Sequence, residues 1–237
     1  MAYEHDWEDP RLAIEGFVTE YLQYRLEQDD LEWFEAPDVP SGAEEEHNAM
    51  KTMCGIFEER NVKDLVELSE DLLDDDEIGD NNNLSFAKYC EVVEEFGRQD
   101  TDIPNEMTYG RMVGLLTFAG LIALEKARRN QRRDIGLIAM YTTKFIDRRI
   151  RMTWVDSMRS WDGFMNMAKG VLLRHPPSPR KAAVPRPRKD VGGGGDAAAD
   201  PPAAIPAPRR SSIGYIAAAG FGSIVLFVAY RTLAKTN

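Results

Sequence analysis

The chain has 237 residues, of which 43% are hydrophobic and 29% are charged. A chain of this length and composition can bury a substantial core, which excludes disorder throughout. Its net charge of −11, three histidines and two cysteines argue against general nucleic-acid binding, a structural zinc site and a disulfide-stapled scaffold. The scarcity of cysteine is typical of a reducing compartment.

The first predicted helix follows Asp9 and has Pro10 at its first position. Aspartate is a favoured N-cap, and proline fits the first helical position. Apolar residues then recur at spacings of three and four up to Leu26, which predicts one buried face. The segment from Ala36 to Glu46 is rich in Pro, Ser, Gly and Glu, and this composition predicts a loop.

Two further helices are predicted before the middle of the chain. The first covers residues 62–73, with Val62 on its apolar side and acidic residues on the other. Gly79 to Asn83 predicts a break, and Phe86 to Phe96 predicts a short amphipathic helix. Gly97 to Glu106 is predicted to be a loop.

The middle of the chain contains an uncharged stretch from Met112 to Leu124. Its 13 residues are too few to span a bilayer, so they predict a helix that is buried on all sides. A following helix from Ile135 to Ile150 is amphipathic, with Leu137 on its apolar face. No stretch alternates as a strand would, and the fold class is therefore predicted to be all-α.

The C-terminal region changes composition twice. Residues 176–212 are rich in Pro, Ala and Gly and carry 7 basic and 3 acidic side chains, which indicates a basic linker. Ile213 to Tyr230 then forms 18 residues without a charge, which would reach about 27 Å as a helix. We expect three parts: a helical domain over 1–175, the linker, and a transmembrane tail anchor over 213–231. No signal peptide is expected at the N-terminus, so the domain would face the cytosol.

The sequence lacks three common motifs of enzyme active sites and nucleotide-binding sites. There is no G-x-S-x-G, no H-E-x-x-H and no P-loop. The acidic run near Asp74 resembles a calcium loop only superficially, because aligning Gly79 with the invariant glycine places Ile78 and Ser85 at ligand positions. We therefore expect neither an enzyme nor a metal or cofactor site.

Four segments carry recognisable motifs in a fixed order. The first has the pattern aromatic–Leu–x–Tyr–basic–Leu, formed by Phe17, Tyr21, Leu22, Tyr24 and Leu26. The second fits L-x-x-φ-small-acid-x-φ, through Leu65, Leu68, Ser69, Glu70 and Leu72. The third, YGRMVGLLTFAG over 109–120, is close to N-W-G-R-I-V-x-F-F-x-F-G-G. The fourth fits W-I-x-x-x-G-G-W-x-x-F, through Trp154, Trp161 and Phe164. This ordered set, followed by an apolar tail, resembles the Bcl-two (B-cell lymphoma two) family of apoptosis regulators, whose fourth, third, first and second homology motifs occur in this order.

The resemblance implies a bundle of amphipathic helices around a central apolar helix. It also implies a hydrophobic groove that takes an amphipathic partner helix, whose carboxylate pairs with the arginine of the first motif, here Arg111. We expect that arginine to be partly exposed while the groove is empty. The other groove candidates by position are Tyr109, Gly110, Val92, Val93, Phe96, Leu115, Leu116 and Phe118.

Two functions are consistent with the resemblance. The first is an anti-apoptotic regulator that sequesters BH-three death-motif helices of Bax/Bak-like and BH-three-only proteins; the alternative is a Bax/Bak-like effector that oligomerises and permeabilises a membrane. The implied partners are those helices, membrane lipids through the anchor, and homo- or hetero-dimers, with no nucleic acid. The implied location is the cytosolic face of the mitochondrial outer membrane, with the endoplasmic reticulum and the cytosol as alternatives.

Four positions depart from the family pattern. Thr108 stands where the first motif usually has asparagine, and Glu70 replaces the aspartate of the third motif. Arg159 and Ser160 replace the glycine pair of the second motif, which is expected to alter how the helix carrying that motif begins. The connection over 97–106 is longer than is usual in the family.

Overall fold

The computed structural model describes residues 5–73, 82–96 and 105–174, with the side chains of the middle segment described from Phe86 onward. These residues form two short 3-10 helices, Asp6–Glu8 and Pro10–Leu12, and six α-helices, and they include no strand. The α-helices are α1 (Ile14–Glu27), α2 (Glu44–Leu73), α3 (Asn82–Phe96), α4 (Tyr109–Arg128), α5 (Arg133–Thr153) and α6 (Trp161–Arg174). The all-α prediction is confirmed. The predicted linker and anchor lie outside the described residues.

Helix α4 is the centre of the bundle, as the uncharged stretch predicted. It packs against α1, α2, α3 and α5, while α6 packs on α2. Nearly all its residues from Arg111 to Ala127 are buried, because neighbours cover it on every side. The close approach of α1 depends on Gly120, where a Cβ atom would lie 2.7 Å from the ring of Tyr21. Burial of so long an apolar surface supplies the main driving force of the fold.

The N-terminal helix starts later than the sequence suggested. The Asp9 carboxylate accepts a hydrogen bond from the amide of Arg11 at 3.0 Å, so its capping role is confirmed. However, Asp9 caps the short 3-10 helix Pro10–Leu12, and α1 begins only at Ile14. The predicted start of the long helix at Pro10 is therefore wrong.

Helix α2 is longer than the sequence suggested. It begins at Glu44, inside the predicted loop, and continues through a kink at Asn61, where φ is −118° and ψ is 19°. Val62, just after the kink, is 50% exposed and does not lie on the buried face. Helix α3 likewise starts at Asn82, inside the predicted break; the remainder of that break lies outside the described residues. In α5, Leu137 is 41% exposed, so its predicted place on the apolar face is also wrong.

Candidate functional site

The apolar groove candidates lie on α3 and α4, and all of them are buried. They are Val92, Val93, Phe96, Leu115, Leu116 and Phe118. The ring of Phe118 stacks against Tyr89 and Phe96, with centroid distances of 5.7 and 6.2 Å. Because these residues are buried, a partner helix can reach them only if the helices that cover them move.

Arg111 lies in the first turn of α4 and is also buried, with 6% of its surface exposed. Its Nη1 donates a hydrogen bond to the carbonyl oxygen of Glu106 at 2.6 Å. Burial lowers the pKa of the guanidinium; the carboxylate of Glu106 opposes this, while Arg149 and Arg159 add to it. The expectation of a partly exposed arginine is wrong, because the segment before α4 folds over it.

Glu106 was not singled out from the sequence, yet it is the anionic centre of the site. Its Oε1 accepts hydrogen bonds from Nε of Arg159 at 2.8 Å and lies 2.7 Å from Nη2 of the same residue. Glu106 is itself buried, with 8% of its surface exposed. Charge-assisted hydrogen bonds of this kind are shorter and stronger than those between neutral groups. Two guanidinium groups thus contact this one acidic residue, that of Arg111 at its carbonyl oxygen and that of Arg159 at its carboxylate.

The start of α4 is held in place by its own side chains. Thr108 is the N-cap, and its hydroxyl accepts a hydrogen bond from the amide of Arg111 at 3.2 Å. At this position threonine therefore caps the helix, as Asn, Ser or Asp would. Tyr109 and Gly110 follow as partly exposed residues, and the guanidinium of Arg159 lies 5.0 Å from the centroid of the Tyr109 ring.

The second-motif tryptophans are buried supports rather than groove surface. Trp154 donates from its indole nitrogen to the carbonyl of Met107 at 2.8 Å, and Met107 donates its amide to the hydroxyl of Thr153 at 3.1 Å. Trp161 stacks on Phe17 of α1, with ring centroids 4.2 Å apart. The motif thereby ties the α5–α6 connection to the start of α4 and to α1. Phe164 is also fully buried and packs edge-on against Tyr109.

The fourth-motif residues lie on α1. Four of them face the interior, and Tyr24 is half-buried with the ammonium of Lys51 5.6 Å from its ring centroid. The buried four are Phe17, Tyr21, Leu22 and Leu26.

The proposed third-motif residues lie on the second half of α2. Glu70 is exposed, while the hydroxyl of Ser69 donates to the carbonyl of Val66 at 2.8 Å. The remaining members are buried, namely Leu65, Leu68 and Leu72. Because its apolar members face the bundle, this segment could engage another protein only by turning outward.

The first half of α2, which lies outside the helices predicted from the sequence, supplies further interior residues. Met50, Met53, Cys54 and Phe57 are all buried. The thiol of Cys54 lies 3.7 Å from the carbonyl oxygen of Val113 in α4, and a Cβ at Gly114 would lie 3.1 Å from the ring of Phe57. The spacing of these apolar residues at three and four was the available signal for this helix.

Comparison with known proteins places these features in a family. The profile of apoptosis regulator proteins of the Bcl-2 family matches residues 50–161. Two curated relatives, both called apoptosis regulator ced-9, are 37% identical (Caenorhabditis briggsae) and 39% identical (Caenorhabditis elegans) over 166 residues, or 70% of this chain. The match spans 60% and 57% of the lengths of these relatives.

Two solved structures are similar to the described bundle. A crystal structure of a CED-9/EGL-1 complex matches with a TM-score of 0.65 and 37% identity, covering 72% of this chain and 99% of the solved one. The structure of Caenorhabditis elegans CED-9 matches with a TM-score of 0.61 and 37% identity, covering 72% and 96%. Among the described residues, none of the helices is long and apolar enough to cross a membrane.

Proposed function

Since the chain belongs to the Bcl-2 family of apoptosis regulators, we propose that it is a pro-survival member that sequesters the BH-three helices of pro-death relatives. As a member of this family it is a regulator and not an enzyme. The main support is α4 itself, which carries the buried Arg111 in its first turn and, further along, Phe118, whose ring stacks against Tyr89 and Phe96 of α3. A second support is that CED-9, which is similar over most of the described bundle, was solved in complex with another protein, EGL-1.

The mechanism follows from what each part of the site offers. Buried apolar side chains on α3 and α4 can receive the apolar face of a partner helix, which would present anchors at i, i+3, i+4 and i+7. The charged end of the site gives orientation, because Arg111 can form a charge-assisted hydrogen bond with a partner's aspartate. Both events require the closed site to open. The partner's binding energy therefore has to offset the cost of moving the covering helices and the segment before α4.

Titration calorimetry on the full chain in detergent tests this proposal. The ligand is a synthetic amphipathic peptide with four apolar anchors and one aspartate, compared with the same peptide in which alanine replaces the aspartate. We expect loss of the peptide's aspartate to weaken binding strongly to the parent and only slightly to the Arg111→Ala variant. The coupling energy between the aspartate and Arg111 should be about 2–5 kcal/mol. Arg151→Ala is the matched control, since Arg151 is an exposed arginine paired with Asp147 on α5.

Two results would contradict the proposal. If the peptide does not bind the parent at all, the groove function is wrong. If it binds with no coupling to Arg111, the groove exists but Arg111 has been misassigned.

Release of dye from liposomes separates the pro-survival role from the effector alternative. The purified full chain is added to dye-loaded vesicles together with the same peptide. We expect peptide binding without release, because a guardian holds the helix and stays folded. Peptide-dependent release would show instead that the chain itself permeabilises membranes.

We also propose that the C-terminal tail anchors the chain, with its helical domain on the cytosolic face of the mitochondrial outer membrane. The support is the uncharged stretch Ile213 to Tyr230, which is followed by Arg231 and Lys235. Deletion of residues 213–237 should move the protein from the carbonate-resistant membrane fraction to the supernatant. A truncated protein that stays with the membrane would contradict the anchor.

A further inference from the structure

Glu106 holds two arginines through two different acceptors. Its backbone carbonyl accepts from Nη1 of Arg111 at 2.6 Å, and its carboxylate binds Arg159 at 2.7 and 2.8 Å. Arg159 belongs to the connection between α5 and α6, whereas Glu106 precedes α4. Through these contacts Glu106 links the segment before α4, the first turn of α4 and the α5–α6 connection.

Arg111 lies among other charged side chains. Arg149 and Arg159 each lie close enough to Arg111 to lower the pKa of its guanidinium, while the carboxylate of Glu106 raises it. Glu94 of α3 has its Oε2 3.8 Å from Nη2 of Arg149. A partner carboxylate that enters this part of the site meets several guanidinium groups, which favours it electrostatically.

We propose that Glu106 is an internal stand-in for a partner's carboxylate, and that Arg159 is a second arginine that recognises the partner once Glu106 is displaced. This inference rests on the proposed function. In the closed state, Glu106 occupies both arginines. On binding, the partner takes over Arg111 with one carboxylate and Arg159 with another, while the segment before α4 moves aside.

The geometry specifies which partner is preferred. Arg111 and Arg159 both contact a single residue, so their guanidinium groups lie within the reach of one glutamate. On a helix, residues three or four apart have Cβ atoms about 5–6 Å from each other. An amphipathic helix with two acidic residues one turn apart can therefore replace both acceptors of Glu106. A helix with a single acidic residue can replace only one of these two acceptors.

The first test is the Glu106→Gln variant of the full chain. Loss of the carboxylate weakens the closed state but leaves the carbonyl contact with Arg111, so the peptide has a weaker competitor. We expect its affinity for a peptide with two acids one turn apart to rise about tenfold, since a hydrogen bond to a charged group contributes about that much. Glu125→Gln is the matched control, because it removes the same charge near the far end of α4, where Glu125 pairs with Arg128. An affinity that is unchanged or lower relative to this control overturns the proposal.

The second test asks whether Arg159 recognises the second acid. Removing Arg159 alone would leave Glu106 buried without its partner, so the arginine is removed in the Glu106→Gln background. Peptides with and without the second acid are titrated against Glu106→Gln and against Glu106→Gln/Arg159→Ala. We expect the second acid to raise affinity about tenfold in the first protein and less than twofold in the second. Thermal melts check that both proteins are folded at the temperature of the titration.

These outcomes are distinguishable from failure of the proposed function. If no peptide binds any variant, the groove function itself fails. If peptides bind and couple to Arg111, but the second acid contributes equally with and without Arg159, only the further inference fails. Equal affinity of both peptides for Glu106→Gln would overturn it in the same way.

Discussion

The phenol hydroxyl of Tyr109 donates a hydrogen bond to the carbonyl of Ser160 at 2.9 Å and accepts one from the amide of the same residue at 3.2 Å. Ser160 in turn caps α6, because its hydroxyl accepts a hydrogen bond from the amide of Gly163 at 3.0 Å. A single side chain at the start of α4 thereby fixes the start of α6. The predicted first and second motifs are thus in direct contact. A substitution in one motif is therefore expected to disturb the structure of the other.

Replacement of Gly163 by alanine should disturb this contact. A Cβ at Gly163 would collide with the hydroxyl of Tyr109, so either the tyrosine or α6 must shift. Overpacking of this kind costs about 1–3 kcal/mol, and we expect the free energy of unfolding to fall by that amount in urea titrations.

Two further variants control this measurement. Gly136→Ala is matched, because Gly136 lies in α5 with nothing within 4 Å of the added methyl group, and it should leave stability unchanged or raise it by up to about 1 kcal/mol. Tyr109→Phe removes the colliding hydroxyl. The loss caused by Gly163→Ala should therefore be smaller in the Tyr109→Phe background; an equal loss in both backgrounds would show that the collision is not the cause.

Arg111→Ala should destabilise the free protein as well as weaken binding. The guanidinium is buried and donates to the carbonyl of Glu106, so its removal leaves that buried acceptor without this donor. The expected loss is about 1–3 kcal/mol in the free energy of unfolding. Arg151→Ala, which breaks an exposed i,i+4 pair with Asp147, should cost about 0.5 kcal/mol or less. Equal losses for the two variants would show that Arg111 is not held as described.

The central helix could be predicted from the sequence because its signal is local. The stretch from Met112 to Leu124 has no charge over 13 residues, and such a helix has to be covered on all sides in a soluble bundle. The order of the motifs along the chain also predicted the family. Neither feature depends on how distant parts of the chain come together.

The state of Arg111 could not be predicted for the opposite reason. Its guanidinium donates to the carbonyl of Glu106, five residues earlier, and Glu106 is in turn held by Arg159, which lies far along the chain. The start of α2 was missed although a local signal existed: three acids, Glu44 to Glu46, stand in the first turn, where they favour a helix N-terminus. The Pro-, Ser- and Gly-rich composition just before these acids favours a loop and so masks the start of the helix. The exposure of Val62 follows from the kink at Asn61, a residue type that is unfavourable inside helices and whose side-chain amide here donates to the carbonyl of Phe57 at 2.7 Å.

Phe118→Ala should destabilise the domain strongly. Phe118 is completely buried in α4 and stacks between Tyr89 and Phe96, so truncation leaves a large cavity at the centre of the bundle. Such changes cost about 3–5 kcal/mol, and Leu116→Ala should cost about 2–5 kcal/mol. Leu173→Ala is the control, since Leu173 is 86% exposed and should change stability by no more than about 0.5 kcal/mol. Melts of the α4 variants that match the parent would contradict the central position of α4.

Cys54 should be inert in the folded protein. Its side chain is fully buried between α2 and α4, and burial raises the pKa of the thiol from its ordinary value of 9.0 to about 12, against the opposing effect of hydrogen bonds with Thr117 and Tyr21. Only the thiolate reacts, so a maleimide at pH 8 should label Cys54 at least about 100-fold more slowly in buffer than in urea. Mass spectrometry of the digested protein gives the rate at each cysteine separately.

The raised pKa of Cys54 also predicts how stability depends on alkaline pH. A thiol whose pKa is higher in the folded state contributes stability that is complete below its unfolded pKa, near 9, and that is lost as the pH rises through about 12. Urea titrations of the parent should therefore show a steeper loss between these values than those of Cys54→Ala, although the variant starts from a lower stability because of its cavity. Tyr89 is buried and its pKa is also raised, but it contributes to parent and variant alike, so it cancels in the comparison. Identical pH slopes, or rapid labelling of Cys54 in the native protein, would show that this thiol is not buried between α2 and α4.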